Sequence, residues 1–248
     1  MNRQQAYDLY IQYLTTAWPS FDGALKKPVS AKLLKQMIAV AQDYQTQFNS
    51  KPSTLEQALK QGRNVLFWSD THFFHHNIIS YASRPDIDAS HMNERLIRNY
   101  FDSVGANDIV VWAGDCAFGN APVAREYLRA KDLPGYKILI MGNHDFEKKS
   151  DEWRNMGIFD EVLLCDGFTL ELEGVQKDLI FTHYPLPPSL VSDNMINVHG
   201  HIHEKNIGYP WVNLSVEAID YRPQSLEYCI RMAHKYRPSE HKLALLNV

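Results

Sequence analysis

Apolar positions along this chain change their spacing once, near residue 62. Before that point Tyr7, Tyr10, Ile11, Leu14 and Trp18 recur at helical spacing. Leu34, Met37, Ile38, Ala41, Tyr44 and Phe48 do so again behind Ser30, which predicts two amphipathic helices. Ser53 and Glu56 have the spacing of a capping box after Pro52, so a short third helix closed by Gly62 is expected. Beyond it, short apolar runs predict strands at 65–68, 109–112, 137–141, 162–164, 169–172, 179–182, 195–198 and 211–214. Helices fit around Met92, Leu96 and Tyr100, over 123–128 behind Pro122, and over 152–156 before Gly157. Strands with crossover helices come first and hairpin-like strands later, which favours an α+β arrangement of two packed sheets flanked by helices over a simple doubly wound sheet. Two segments result: a helical N-terminal extension over 1–61 and a larger mixed domain over 62–248.

Composition narrows the setting more than the function. The 248 residues are 45% apolar and 22% charged with a formal charge of −4, which excludes disorder and gives no bulk attraction for nucleic acid. A basic cluster at Arg231, His234, Lys235, Arg237 and Lys242 reads as a solvated helix face. Cys116, Cys165 and Cys229 lack a Cys-x-x-Cys pair, so reduced, buried thiols and a reducing cytoplasm are expected. The first residues lack the apolar core of a signal peptide, and no run approaches the roughly 20 apolar residues of a membrane span, so a cytoplasmic chain without a membrane partner is expected.

Chemistry enters through five short blocks, each placed after an apolar run: Asp70-Thr71-His72, Gly114-Asp115, Gly142-Asn143-His144-Asp145, His183, and Gly200-His201-Ile202-His203. Residues following strands in open α/β sheets converge where such sheets bind ligands. Asp70 and His72 stand two apart in an extended segment and can share one metal. Asp115 follows a glycine that lets the backbone turn, which suits a carboxylate bridging two ions. A shared carboxylate and several imidazoles are what two-metal phosphoester hydrolysis requires, since paired cations generate a nucleophile from water and neutralise the phosphoryl oxygens.

The ordered set of blocks resembles the calcineurin-like metallophosphoesterase family over about residues 64–225. That resemblance implies a sandwich of two mixed sheets. It further implies one metal on Asp70, His72, Asp115 and His203 and a second on Asp115, Asn143, His183 and His201. His144 would face the leaving group as a non-ligand histidine, oriented by Asp145. The donor set suits manganese, iron, zinc or nickel better than magnesium alone, with manganese first on family habit. Phe118 stands where purple acid phosphatases carry a tyrosine ligand, and the arginines that protein phosphatases place near the bridging aspartate and before Gly-Asn-His are missing. The stretches around 70–85, 197–203 and 215–223 instead look like a bacterial and phage branch of uncharacterised relatives.

The expected reaction is therefore in-line attack of a metal-bridging hydroxide on a phosphodiester of nucleotide type. A small-metabolite phosphomonoesterase, a nuclease, and a metal-bearing interaction module with the N-terminal helices over the site are the alternatives. His75, Arg84 and Arg222 are candidates for contacting substrate, the arginines because a guanidinium fork matches phosphate geometry. His76 is a weaker candidate, and His199 reads as support for the adjoining ligands.

Overall fold

The computed structural model describes residues 1–17, 51–118, 121–146, 157–235 and isolated positions between them. Trp18 lies outside the described residues, as do the helix expected over 34–48 apart from Lys35, Ile38 and Ala39, which are helical, and the helix expected over 152–156 apart from Trp153.

Five strands form the first sheet in the order β4-β3-β2-β1-β9. Its centre consists of β1 (Val65–Trp68) and β2 (Ile109–Trp112), parallel and with every residue buried. Strands covered on both faces need apolar residues without alternation, which is what these two runs supply. β3 (Tyr136–Ile140) and β4 (Glu161–Leu163) continue the parallel order, while β9 (Gln224–Ser225) adds antiparallel to β1. The crossover from β1 to β2 runs through the short α3 (Ile78–Tyr81) and α4 (Ala89–Ser103). α4 opens at Asp88, whose side chain accepts from His91 N at 2.8 Å, and buries Met92, Leu96 and Tyr100. α5 (Ala121–Ala130) makes the crossover from β2 to β3.

The second sheet has the order β5-β6-β7-β8. β5 (Asp166–Leu172) and β6 (Val175–Phe181) form an antiparallel hairpin, and β7 (Met195–His199) and β8 (Trp211–Asn213) then add in parallel. Phe67 of β1 stacks on Phe181 of β6 with centroids 5.8 Å apart, and Phe168 joins at 5.4 Å, so aromatic rings fill the space between the sheets. Beyond the strands a bridge from Ser69 to Ser215 brings the two sheets together beside the ligand blocks. Two mixed sheets flanked by helices are thus the observed architecture, as the strand pattern predicts. The last described helix, α6 (Leu226–Lys235), packs beside β8 and carries Arg231, His234 and Lys235.

At the N-terminus, α1 (Arg3–Gln12) begins at an Asn2 and Gln5 capping box and runs through a π-turn over Tyr13–Ala17. α1 lies on β5, and α2 (Thr54–Lys60) is opened by Ser53, which accepts from Glu56 N at 3.1 Å. Ala6, Tyr10, Leu14, Leu55 and Ala58 belong to the same buried cluster as the strands. For these helices, the change of pattern at residue 62 marks a change of element type inside one core. Arg3 fastens them by pairing with Asp166 at 2.8 Å and Glu161 at 3.4 Å, all three side chains being buried.

Candidate metal centre

Four parallel strands and the loop after β6 deliver the chemical blocks to one end of the sandwich. Asp70 and His72 follow β1, Asp115 follows β2, Asn143 follows β3, His183 follows β6, and His201 and His203 follow β7. The chain turns sharply at these points: Asp70, His72, Asp115, His201 and His203 have φ between 50° and 70°. A left-handed conformation costs a non-glycine residue roughly 1–2 kcal/mol. Continued pairing beyond the strands holds it in place, with Asp70 N bonding to Gly114 O at 2.9 Å and His72 N to Asp115 O at 3.0 Å. Strain gathered on chemically active side chains is characteristic of functional sites.

Glycines let these loops pack without side chains between them. A Cβ on Gly142 would meet Asp115 N at 2.6 Å and His183 Cε1 at 2.8 Å; one on Gly200 would collide with Ser69 and with the Asp70 carboxylate. Asp145 locks the same region. Its Oδ2 accepts from the amides of Asp115 and Gly142, both at 2.8 Å, and its Oδ1 from Cys116 N at 3.0 Å. Both oxygens of the carboxylate expected to orient His144 are therefore committed to the backbone that carries Asp115.

Among the described residues three triads place one donor each within 4.8 Å of one another: Asp70, His72 and His203; Asp115, His183 and His201; and, sharing a member with each of these, His72, Asp115 and His144. Asn143 joins the second triad, its Oδ1 lying 3.2 Å from His183 Nε2. Asp115 Oδ2 stands between the first two, 3.6 Å from His72 Nε2 and 3.4 Å from His183 Nε2. His144 Nε2 is 3.9 Å from the same oxygen, and its side chain is 23% exposed where those of His72 and His183 are enclosed.

Electrostatics identify what the cluster lacks. Burial alone would raise Asp115, yet His183 and then His144 hold it well below the usual carboxylate range. Burial opposes protonation of His183, but Asp115 raises it to about 9. His72 and His201 are driven well down, first by burial. Burial, with the nearby Asp115 charge second, lifts Asp145 to about 7. Among the described residues, buried Asp70 Oδ1 and His72 Nε2 have no hydrogen-bond partner although they lie only 3.8 Å apart. Buried polar atoms are normally satisfied, so two donor atoms left open toward each other fit a cation. Carboxylate, amide and imidazole donors together suit a divalent transition metal.

Fold and donor set together define a metal-dependent hydrolase. The model of the calcineurin-like phosphoesterase family matches residues 63–242, and the chain belongs to that family of metal-dependent phosphoester hydrolases. An uncharacterised protein of Methanocaldococcus jannaschii is 33% identical over 183 residues, which are 70% of this chain and 93% of that protein. The gene 66 protein of Mycobacterium phage L5 is 27% identical over 166 residues, 58% of this chain and 79% of its own length. The crystal structure of a protein of unknown function from Aquifex aeolicus aligns with a TM-score of 0.50 at 27% identity, covering 68% of this chain and 98% of that one.

The substrate-contact candidates fare differently. His75 is buried, its Nδ1 is 3.3 Å from His72 Nδ1, and its ring stacks on Phe118 at 3.8 Å. Burial, then His144, lowers it to about 4, so it is neutral and can accept the Nδ1 proton of His72, which leaves His72 Nε2 open toward Asp70. Arg84 is held within the protein. Its enclosed guanidinium bonds to Thr71 O at 2.9 Å, to Asp70 O at 2.6 Å and to Glu217 Oε1 at 2.8 Å. Arg222 and His76 are exposed, and His199 is buried with its Nδ1 on Gly200 O at 2.8 Å. Sequence reasoning assigns no role to Ser215, whose hydroxyl bonds to Asp70 Oδ2 at 3.0 Å, or to Glu217, which contacts His203 Nδ1 at 3.2 Å. Their stretch, 215–223, carries a family likeness without a ligand-type pattern.

Proposed function

We propose that this chain is a dinuclear-metal phosphodiesterase acting on substrates of nucleotide type. The observation that carries the two-ion reading is Asp115 Oδ2, set between His72 Nε2 at 3.6 Å and His183 Nε2 at 3.4 Å. One carboxylate shared by two imidazole-rich groups is the donor arrangement of a paired centre. Asp70, His72 and His203 would hold one ion and Asn143, His183 and His201 the other, with Asp115 common to both. When bound, such ions supply Lewis acidity toward the phosphoryl oxygens and a nucleophile drawn from water near neutral pH. Manganese is the first choice for this donor set, with iron, zinc and nickel compatible.

The protein's own groups do the rest. His144 is partly exposed where His72 and His183 are enclosed, so its Nε2 can reach a leaving oxygen and give it a proton or hydrogen bond. Its backbone N–H donates to Asp115 Oδ1 at 2.9 Å, which fixes the histidine relative to the shared carboxylate. Preference for a diester is supported by charge. A monoester carries a second negative charge above its pKa of about 6, and the two arginines available in sequence to meet it are committed elsewhere or exposed. Aromatic groups beside His144 support a planar leaving group: Phe118 lies 4.8 Å from its ring, and Tyr81, 71% exposed, stands against His75. Three buried cysteines outside any disulfide support a reducing, cytoplasmic setting.

Manganese-loaded protein offered bis-p-nitrophenyl phosphate and p-nitrophenyl phosphate side by side tests the proposal. Faster turnover of the diester is expected. Faster turnover of the monoester, or none of either by protein holding two ions, would overturn it.

A further inference from the structure

One buried carboxylate outside both donor groups is bonded to parts of only one of them. Glu217 lies in the single turn Val216–Ala218 with its side chain 3% exposed. Its Oε1 receives Arg84 Nε at 2.8 Å, Arg84 Nη2 at 2.7 Å and His203 Nδ1 at 3.2 Å. The same guanidinium reaches on to the carbonyls of Asp70 and Thr71. His203, Asp70 and His72 are thereby tied to a single Arg84 and Glu217 pair, through a side chain in the first case and through the backbone in the other two. Among the described residues, Asn143, His183 and His201 make no hydrogen bond or ion pair with Arg84 or Glu217.

We infer that Glu217, held by Arg84, is a positioning residue for one ion of the two: it accepts the Nδ1 proton of His203, so that Nε2 of that ring presents its lone pair beside Asp70 and His72. The inference rests on the two-ion reading above. An imidazole can ligate through Nε2 only when that nitrogen is unprotonated, and a carboxylate on Nδ1 fixes this tautomer along with the ring's orientation. Arg84 keeps the carboxylate from turning away and sets its distance from the loop that carries the other two donors. Without the pair, His203 is free to rotate or to place its proton on Nε2, and one ion loses a ligand while the other keeps its full set.

The test is Mn²⁺ titration of the metal-free, full-length protein by calorimetry, with bound metal counted after dialysis. Glu217→Ala is the first variant, because it removes the acceptor of the His203 Nδ1 proton; Glu217→Gln, which can keep an oxygen at the Oε1 position since Oε2 has no hydrogen-bond partner among the described residues, should restore binding of both ions. Wild type is expected to bind two ions. Glu217→Ala should keep one at wild-type affinity and bind the other roughly 10- to 100-fold more weakly, the usual effect of removing a ligand's hydrogen-bond partner. Arg84→Lys, which keeps the charge and loses the fork, should give the same selective loss. Unchanged affinities, equal weakening of both ions, or failure of Glu217→Ala and Arg84→Lys alike to fold would overturn the inference, since a purely structural pair does not discriminate between ions. Wild type binding fewer than two ions would instead sink the two-ion reading itself.

Discussion

Replacing Asp145 asks directly what holds the ligand loops together. Its buried carboxylate accepts three backbone amides, those of Asp115, Gly142 and Cys116, at 2.8 to 3.0 Å. Asp145→Ala strands all three donors where water cannot replace the lost acceptor. A hydrogen bond to a charged group contributes about 1.5–3 kcal/mol, so the total loss is on the order of 5 kcal/mol. That is comparable with the whole stability of a typical domain, about 5–15 kcal/mol. Asp145→Asn differs in two ways. Its one oxygen can still serve Asp115 and Gly142, and it removes a charge that burial and the Asp115 carboxylate disfavour, as the rise of Asp145 to about 7 reflects. Its amide nitrogen faces Cys116 N–H, so one bond is lost and the expected cost is about 2 kcal/mol. Equilibrium unfolding in urea with EDTA present measures both variants free of metal. Equal costs for Asn and Ala, or an Ala variant within about 1 kcal/mol of wild type, would refute the clamp.

Three further outcomes follow from the same geometry. His144→Ala should retain its metal, because two full donor groups exist without it, and lose about 10²- to 10⁴-fold in turnover; metal analysis beside kinetics checks this, and unchanged turnover removes His144 from the reaction. In metal-free protein His183 is raised to about 9 against an ordinary 6.5. Its pairing with Asp115 therefore stabilises fully below about pH 6.5 and fades as the pH climbs through about 9, while metal, which needs the neutral ring, should bind more tightly over that interval. Thermal melts with and without Mn²⁺ from pH 6 to 9 should show a widening gap, and a constant gap would contradict the pairing. Gly142→Ala forces a methyl against Asp115 N and His183 Cε1, so metal content should fall, and full occupancy in a folded variant would show that the loops give way easily.

Much of this site is legible in the sequence because ligation constrains residue type and spacing locally. Asp70 with His72, and His201 with His203, stand two apart after apolar runs, and the fold needs only to bring strand ends together. What escapes the sequence is decided by distant partners. The carboxylate that holds Arg84, Glu217, stands 133 residues further along. Nothing local to Asp145 shows that three backbone amides converge on its carboxylate. β5 begins at Asp166, earlier than the apolar run at 169, because Arg3 neutralises that buried aspartate and Ala6 packs so closely on Gly167 that no side chain fits there. β9 is two polar residues without alternation, made a strand only by pairing with Leu66 and Phe67.

The central claim is a pair of cations sharing Asp115. Anomalous diffraction from crystals of the full chain grown with Mn²⁺ tests it most directly. Two peaks are expected, one among Asp70, His72 and His203 and one among Asn143, His183 and His201, about 3.5–4 Å apart with Asp115 between them. A single peak, or two with Asp115 in contact with neither, would contradict the account.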